Sequence, residues 1–167
     1  MLIVFSGLPG VGKTVIARAL AAATGGIHLR IDSIEQALRN EGLQVEGEGY
    51  SVAYAVAEDN LRLGRSVIAD CVNPWPLTRE AWQAVARRAG VRVIDVEVVC
   101  SDAKEHRRRV ESRRPEIPGH TLPTWREVSE RDYRARTDDR IVLDTARLDV
   151  GGSVQAVLWA LSPRNSR

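Results

Sequence analysis

Three glycines, a lysine and a threonine stand close together near the start of the chain, in the stretch GLPGVGKT at residues 7–14. Glycines at this spacing let backbone amides converge on an anion, because no Cβ atoms stand in the way. Lys13 adds a mobile positive charge that suits β- and γ-phosphates, and the Thr14 hydroxyl is a suitable ligand for Mg²⁺. The chemistry predicted for this stretch is the binding of a nucleoside triphosphate.

The context of this stretch strengthens the prediction. G-x-x-x-x-G-K-T is the Walker A pattern, and it requires a strand before it and a helix after it. Here the apolar run MLIVF precedes it and the helical pattern KTVIARALAAAT begins within it. ATP and Mg²⁺ are therefore the predicted cofactors. The predicted nucleotide contacts are Gly7, Leu8, Pro9, Gly10, Val11, Gly12, Lys13 and Thr14.

Two carboxylates follow predicted strands, and ligands of parallel sheets bind at the carboxyl ends of the strands. Asp32 comes just after IHLRI, and Asp70 ends SVIAD. Asp32 is a candidate to orient an acceptor hydroxyl or take its proton; alternatively it only caps the helix that follows. Asp70 is predicted to bind Mg²⁺ or the substrate, with a purely structural hydrogen bond to the phosphate loop as the alternative.

The residue after Asp70 bears on whether the phosphate is hydrolysed or transferred. Motor ATPases end the corresponding strand in two adjacent acids, one for Mg²⁺ and one to activate water, whereas Cys71 follows Asp70 here. The Asn-Lys-x-Asp segment with which GTPases read guanine is also missing from the sequence. Phosphoryl transfer mainly requires positioning, neutralisation of charge and a carboxylate near the acceptor. The sequence thus favours a phosphotransferase.

A basic stretch, HRRRVESRR at residues 106–114, is followed by the proline-rich PEIPGH. Arg109 and Arg113 are four residues apart, so they share one helix face. Guanidinium groups form paired hydrogen bonds to phosphate, and a mobile arginine-bearing lid, about residues 104–124, would exclude water during transfer. A solvated basic face or a nucleic-acid patch is the alternative. His106 and His120 flank the lid; we expect both at the surface and assign them no role.

The elements that must position these groups alternate between strand and helix. Five apolar strands separated by helical patterns predict a parallel α/β sheet covered on both faces, and residues 1–167 suit a single domain. TWREVSERDYRART, residues 124–137, is predicted to be helical. The net charge of +2, two cysteines (Cys71 and Cys100), and the lack of a signal peptide or a long apolar run predict a protein of the reducing cytoplasm, without membrane contact.

Together these segments resemble the small P-loop kinases of the nucleoside-monophosphate-kinase class. More narrowly, they resemble the AAA_33-type kinase group, which includes gluconate kinase, adenylylsulfate kinase, chloramphenicol phosphotransferase, zeta toxin and the kinase domain of bacterial polynucleotide kinase. The resemblance rests on GLPGVGKT, IDSIEQ, VIADCVNPWPLTREAW and HRRRVESRR. It implies a P-loop NTPase fold with strand order 2-3-1-4-5. It also implies ATP at the loop, Asp32 as base or substrate anchor, Asp70 and Asn73 near the acceptor, Arg109 or Arg113 as lid arginine, and DTARLD beside the adenine.

One departure from the family pattern concerns the acceptor. Polynucleotide kinases carry an arginine three residues after the catalytic aspartate, where this chain has Glu35, and EGLQVEGEG adds further acids nearby at Glu41, Glu46 and Glu48. A pocket edged by carboxylates disfavours a phosphorylated acceptor and suits a neutral or cationic one. Three arginines stay open as replacements for the missing one: Arg30, Arg39 and Arg79.

The predicted function is therefore ATP- and Mg²⁺-dependent transfer of the γ-phosphate to a hydroxyl of a small molecule. The residues predicted to bind that acceptor are Asp32, Glu35, Asp70, Asn73 and Arg79. A polynucleotide 5′-hydroxyl kinase or a nucleoside or nucleotide kinase is the first alternative. A non-transferring ATP-binding protein or toxin is the second. The sequence leaves the acceptor's identity and the oligomeric state open.

Overall fold

A five-stranded parallel sheet forms the centre of the molecule. In the computed structural model, which describes residues 1–162, the strands are β1 (Leu2–Ser6), β2 (Ile27–Arg30), β3 (Val67–Asp70), β4 (Val93–Val99) and β5 (Ile141–Asp144). Their order across the sheet is β2-β3-β1-β4-β5, and every neighbouring pair is parallel. The predicted P-loop NTPase strand order is confirmed.

Helices connect the strands and cover both faces of the sheet. They are α1 (Lys13–Thr24), α2 (Ile31–Asn40), α3 (Glu48–Arg62), α4 (Pro76–Ala89), α5 (Ala103–Ser112), α6 (Trp125–Ser129) and α7 (Val150–Leu161). Local sequence sets several of their ends. Pro76 opens α4, where its missing N–H costs no hydrogen bond, and Asp102 caps α5 by accepting from two backbone amides. No helix within residues 1–162 is long and apolar enough to span a membrane.

Two apolar cores lie on opposite faces of the sheet. Leu2 and Val4 of β1 pack towards α3 and α4, where the indole of Trp82 is fully buried. Ile3 and Phe5 alternate with them and pack towards α1 and α7. A sheet that is covered on both faces explains why most of its strands read as continuous apolar runs. Strand β4 is the exception, because the buried Asp95 and Glu97 alternate with its apolar residues.

Strand β1 lies at the centre of the sheet, and the chain adds the later strands first on one side of it and then on the other. The chain passes from β1 to β2 and β3 on one side, and then to β4 and β5 on the other. The carboxyl end of β1 is thus a point where the strand order reverses, which is where open α/β sheets bind ligands. The loop at residues 7–14 begins at this point.

The predicted helix at residues 124–137 is wrong beyond its first turn. The α6 helix starts with a capping box between Thr124 and Glu127 and ends at Ser129, and residues 130–140 have almost no regular secondary structure. In this segment Arg136 donates to Asp95 of β4, and Arg140 donates to Glu97 of the same strand. The first of these ion pairs is buried and the second is partly buried, and together they replace the helical path that local propensity favours.

Candidate active site

The phosphate loop, residues 7–14, is shaped by close backbone contacts. Gly7 has a φ of +134°, and a Cβ atom there would lie 2.2 Å from the carbonyl oxygen of Val98. Only glycine fits that position, since the obstacle is backbone and cannot move aside. The loop then leads straight into α1, whose first residue is Lys13. The unpaired amides of this helix start face the loop, as an anion site requires.

Lys13 is a buried cation whose only hydrogen bond among the described residues is to an uncharged group. Its side chain donates to the carbonyl oxygen of Leu8 at 2.9 Å, and the residue is 8% exposed. Burial lowers the pKa of Lys13, and the nearby charges of Asp70 and Asp32 partly oppose that shift. The ammonium group thus has an unmet need for a negative partner, which a phosphate would satisfy.

Asp70 ends β3 beside the loop and is almost completely buried. Burial alone would raise the pKa of its carboxyl, but a hydrogen bond from His28 (3.3 Å), the charge of Lys13 and a hydrogen bond from Thr14 outweigh it, and the pKa is lowered. Asp70 is therefore ionised at neutral pH. The next residue, Cys71, donates its Sγ–H to the carbonyl oxygen of Phe5, and burial raises the pKa of this thiol.

A cavity of about 800 Å³ opens beside the loop and brings many of the predicted site residues together. Those that line it are Pro9, Gly10, Gly12, Lys13, Thr14, Asp32, Glu35, Asp70, Arg109 and Arg113. Gly7, Leu8 and Val11 belong to the loop but do not line this cavity. The nucleotide-binding and acceptor-binding predictions thus meet in one space.

Asp32 does not cap a helix, so the structural alternative for this residue is wrong. The α2 helix already begins at Ile31, its N-cap residue is Arg30, and no side chain caps it. Asp32 lies in the first turn, about one-third exposed, with its carboxylate 3.8 Å from the Arg30 guanidinium. Because the chain enters α2 directly from β2, the carboxylate is held at the edge of the cavity.

The cavity is also lined by Glu35, Gln36, Arg39, Glu46 and Tyr50. Glu35 accepts from Arg39 at 3.1 Å, one helical turn away. The predicted acidic edge is only partly present, because neither Glu41 nor Glu48 lines the cavity. The Glu48 carboxylate instead accepts from the backbone amides of residues 46 and 47, at the start of α3.

Asn73 and Arg79 are both buried and do not line the cavity. Arg79 donates to the backbone carbonyls of Asn73, Pro74 and Arg134, so its guanidinium holds two loops together. Asn73 has a φ of +51°, and its side-chain amide has no hydrogen-bond partner within residues 1–162. Their predicted contact with an acceptor stays a prediction.

The predicted lid corresponds to α5 and the loop at residues 113–124, which borders the cavity. Arg109 donates to Glu105 and to both the hydroxyl and the carbonyl of Thr145. Arg113 lines the cavity, and within residues 1–162 its guanidinium has no ion pair or hydrogen bond. Its charge helps to lower the pKa of Lys13, which places it near the loop.

A carboxylate from this lid loop reaches across to the body of the protein. Glu116 accepts from Arg18 of α1 and from the buried Arg30 at the end of β2 (3.1 Å). One carboxylate oxygen takes both hydrogen bonds. The lid loop is thus fastened to the sheet beside Asp32.

A second, more open cavity of about 520 Å³ adjoins the first, with Gly12, Val15 and Arg109 lining both. Residues 145–150, which overlap the DTARLD segment, form one wall, and Gly12, Val15 and Arg109 form the other. The segment is held against the loop because the Thr145 hydroxyl donates to the carbonyl oxygen of Val11 at 2.9 Å. The DTARLD segment thus borders this second cavity, and its contact with adenine stays a prediction.

Comparison with known proteins places this geometry in a family. The AAA_33 family model, described as an AAA domain, matches residues 2–132. The chain belongs to the AAA_33 family. The resemblance drawn from the sequence motifs is thereby confirmed. No curated protein matches the chain significantly.

Solved structures share the fold of this AAA_33 protein at low sequence identity. A candidate kinase from Chloroflexus aurantiacus is 23% identical with a TM-score of 0.77, over 96% of this chain and 98% of that one. A gluconokinase from Sinorhizobium meliloti is 20% identical with a TM-score of 0.64, over 95% and 90%. The APS kinase from Mycobacterium tuberculosis, solved with AMPPNP and APS, is 15% identical with a TM-score of 0.69, over 96% of each chain. The fold of the AAA_33 chain is thus one that P-loop kinases use.

One residue of the site in this AAA_33 protein was misjudged from its sequence. His106 was expected at the surface, but it is 7% exposed, and its Nε2 lies 2.8 Å from the carbonyl oxygen of Pro9. Helical spacing was the available signal, since residues 106, 110 and 113 share one face of α5 and Val110 is buried as well. The basic composition of the stretch obscured that face.

Proposed function

We propose that this chain is an ATP- and Mg²⁺-dependent phosphotransferase that moves the γ-phosphate to a hydroxyl of a neutral or cationic small molecule. One observation carries the proposal: Asp32 and the unneutralised Lys13 line the same cavity. Lys13 would bind the phosphate that is transferred, and Asp32 would orient the acceptor hydroxyl and take its proton.

The residues beside the loop suit Mg²⁺. A magnesium site in a P-loop takes few protein oxygens, because phosphates and water supply the rest. The Thr14 hydroxyl and the ionised Asp70 carboxylate both line the cavity, so both oxygens would serve such a site, directly or through water. When bound, the ion would neutralise charge on the phosphates.

Transfer is favoured over hydrolysis by the surroundings of Asp70. A dedicated ATPase needs a second carboxylate there to activate water, and this chain has the buried Cys71 thiol, whose pKa is raised. The cationic side chain of Arg113 lies on the lid side of the cavity, where it would neutralise the phosphates and help to exclude water.

The existing contacts of three arginines bear on which charge the acceptor can carry. Each was a candidate to bind a phosphorylated acceptor, and each already has partners. Arg39 is paired with Glu35, Arg30 with Glu116, and Arg79 is bound to three backbone carbonyls. An acceptor phosphate would have to displace one of these partners, which supports a neutral or cationic acceptor.

The nucleic-acid alternative depends on exposed, uncompensated arginines along α5. Two of them are compensated within the helix: Arg107 is paired with Glu111, and Arg108 with Glu105. This pairing reduces the positive field that a phosphate backbone would meet. The pairs lie on the surface and are individually weak, so a direct binding measurement is the appropriate test.

A γ-labelled ATP assay tests the proposal against a panel of hydroxyl acceptors. The panel contains neutral polyols and sugars, aminated sugars, phosphorylated sugars, nucleosides and 5′-hydroxyl oligonucleotides. We expect label to pass to a neutral or cationic small molecule, with the Lys13→Ala variant as the background. Rapid hydrolysis without any acceptor would contradict transfer. Labelling of oligonucleotides, with affinity that falls steeply as salt rises, would favour the nucleic-acid alternative instead.

A further inference from the structure

His106 connects the lid helix to the phosphate loop through the backbone of Pro9. Its Nε2 lies 2.8 Å from the Pro9 carbonyl oxygen, in an almost fully buried position. Because a carbonyl oxygen only accepts hydrogen bonds, Nε2 must carry the proton. The ring also meets the indole of Trp125 edge to face, with 5.1 Å between centroids. The imidazole is thus fixed on one side by α6 and bonded on the other to the loop.

The bond acts on the peptide unit that joins Pro9 to Gly10. This peptide is planar and trans, as all the peptide bonds described are, so its C=O and N–H point in opposite directions. A hydrogen bond that holds the Pro9 carbonyl towards α5 therefore turns the Gly10 N–H away from α5. The Gly10 N–H has no hydrogen-bond partner within residues 1–162, and Gly10 lines the main cavity.

We propose that His106 is a positioning residue that keeps the Gly10 amide directed at the phosphate site. If this peptide unit rotated by half a turn, a carbonyl oxygen would face the phosphates in place of an N–H donor. An attraction would then become a repulsion between oxygen atoms. The inference rests on the proposed function in one respect: the loop must bind nucleotide phosphates.

The packing around Gly10 shows why a side chain from α5 can reach the loop at all. A Cβ atom on Gly10 would lie 2.5 Å from a methyl carbon of Val110 and 3.5 Å from the His106 ring. The glycine thus lets α5 approach closely enough for the hydrogen bond to form. The same helix carries Arg109 and Arg113, so the bond also fixes the distance between the lid arginines and the loop.

Two substitutions at His106 separate hydrogen bonding from packing. His106→Phe keeps an aromatic ring against Trp125 and removes the donor, whereas His106→Gln keeps an N–H donor on a smaller side chain. Calorimetry then measures the affinity of the wild type and both variants for ADP, AMPPNP and adenosine. We expect His106→Phe to weaken ADP and AMPPNP about ten-fold or more, the range for losing a hydrogen bond to a charged group. Adenosine affinity should stay within about two-fold, and His106→Gln should recover most of the loss.

The Gly10 amide resonance in ¹⁵N-labelled protein gives a second measurement that does not depend on a change in stability. We expect ADP to shift this resonance in the wild type and to shift it much less in His106→Phe. Equal ADP affinity in the wild type and His106→Phe would overturn the inference and leave the proposed function standing. An equal loss of adenosine and ADP affinity would also overturn it, because the role would then be general packing. A wild type that bound none of the three probes would overturn both.

Discussion

Two groups of charged and polar residues, each built around buried charges, lie at the central sheet, and they differ in how far their charges are matched. The first, here the loop cluster, consists of Lys13, Thr14, His28 and Asp70. The second, here the strap cluster, joins residues 130–140 to strands β1 and β4 and consists of Ser6, Asp95, Glu97, Tyr133, Arg136, Asp138 and Arg140.

The strap cluster is closed and internally satisfied. The Arg136 side chain is fully buried and donates to Asp95 at 2.8 Å, to Ser6 at 2.9 Å and to Asp138. Burial alone would lower the pKa of Arg136, but the two carboxylates outweigh it and the pKa is raised. Glu97 is engaged as well, by the Tyr133 hydroxyl at 2.9 Å and by Arg140.

The loop cluster is the opposite case, because it keeps an unmatched charge beside a cavity. Lys13 hydrogen-bonds only a neutral carbonyl within residues 1–162, and burial lowers its pKa in spite of two nearby carboxylates. Burial of charge therefore does not by itself distinguish a functional site in this protein. The distinction lies in whether the charge already has its partner or awaits one from a ligand.

The contrast between the loop cluster and the strap cluster predicts that substitution of Lys13 has the largest effect on phosphate transfer. Lys13→Ala should reduce phosphate transfer by roughly 10³-fold or more, as expected for a charge that stabilises phosphoryl transfer. Thermal stability in the absence of nucleotide should change far less than transfer, because removing the desolvated cation relieves its burial while Asp70 loses one nearby positive charge. Turnover with labelled ATP and the melting temperature check the two parts. The sequence has one other lysine, the exposed Lys104, and Lys104→Ala is the matched control. A Lys13→Ala variant that kept normal turnover would contradict the assigned role of the loop.

The second-largest effect is expected at Asp32. Asp32→Asn keeps the size of the side chain and removes the charge that would accept a proton, so transfer should fall by roughly 10²–10⁴-fold. The helix should survive because Asp32 does not cap it, and ADP affinity should change little. Turnover and ADP affinity are measured on the same preparation, with the exposed Asp59→Asn as the control. Unchanged transfer would remove Asp32 from the mechanism and leave Asp70 as the carboxylate to test.

The sequence predicted Lys13, Thr14 and Asp70 of the loop cluster but not His28, and it missed the strap cluster, for a physical reason. The phosphate loop is a local structure, in which glycines, lysine and threonine within eight residues set both the backbone path and the chemistry. The sheet order was likewise accessible, because apolar runs and helical patterns alternate along the chain. The strap cluster instead pairs Arg136 with Asp95, residues far apart in sequence, and no local pattern marks such a pair.

The residues predicted to bind the acceptor show the same limit. Asp32 was identified because it follows a strand end, and Glu35 because it stands where related kinases carry an arginine. Their arginine partners are local in sequence, but the contact of Glu116 with Arg30 depends on the tertiary fold. The acidic segment at residues 41–48 illustrates the opposite error. Composition suggested a row of acids facing the acceptor, and the fold uses the Glu48 carboxylate to bind backbone amides at a helix start.

Substitution of Arg136 tests the strap cluster, and we expect it to lower the free energy of unfolding. Arg136→Met leaves Asp95 buried without a cationic partner, and breaking such pairs costs about 3–5 kcal/mol. Chemical denaturation measures the free energy of unfolding, and the double variant Arg136→Met/Asp95→Leu should recover part of the loss. Arg126, an exposed arginine paired with Glu130, is the control, for which less than about 1 kcal/mol is expected. If Arg136→Met and Arg126→Met lowered the free energy of unfolding by the same small amount, the structural role of Arg136 would be contradicted.

Arg113 should show a smaller, purely kinetic effect. It is the cavity-lining lid arginine without an ion pair in the described chain, so it is available to bind a phosphate in the transition state. Arg113→Gln should lower kcat about 10- to 100-fold, corresponding to one hydrogen bond between charged groups. Arg107→Gln, on the exposed face of α5, is the matched control. A fall in kcat at Arg109 but not at Arg113 would reassign the lid arginine, and Arg109 would then have to leave Thr145 in the closed state.

The smallest effect concerns the pH dependence of stability at Asp70. Its pKa in the folded protein lies below the ordinary value, because His28, Lys13 and Thr14 outweigh the burial that would raise it. A lowered carboxyl pKa stabilises the fold above the unfolded-state value, near pH 4, and this contribution is lost as pH falls through the folded-state value. The wild type without nucleotide should therefore lose more stability between about pH 5 and pH 3 than Asp70→Asn does.

Thermal melts of both proteins across this pH range would measure the difference in stability. The other carboxylates titrate in both proteins, so their contributions cancel in this difference. Identical pH dependence in the two proteins would mean that Asp70 is not held ionised by the loop cluster, and the contrast between the two clusters would then rest on Lys13 alone.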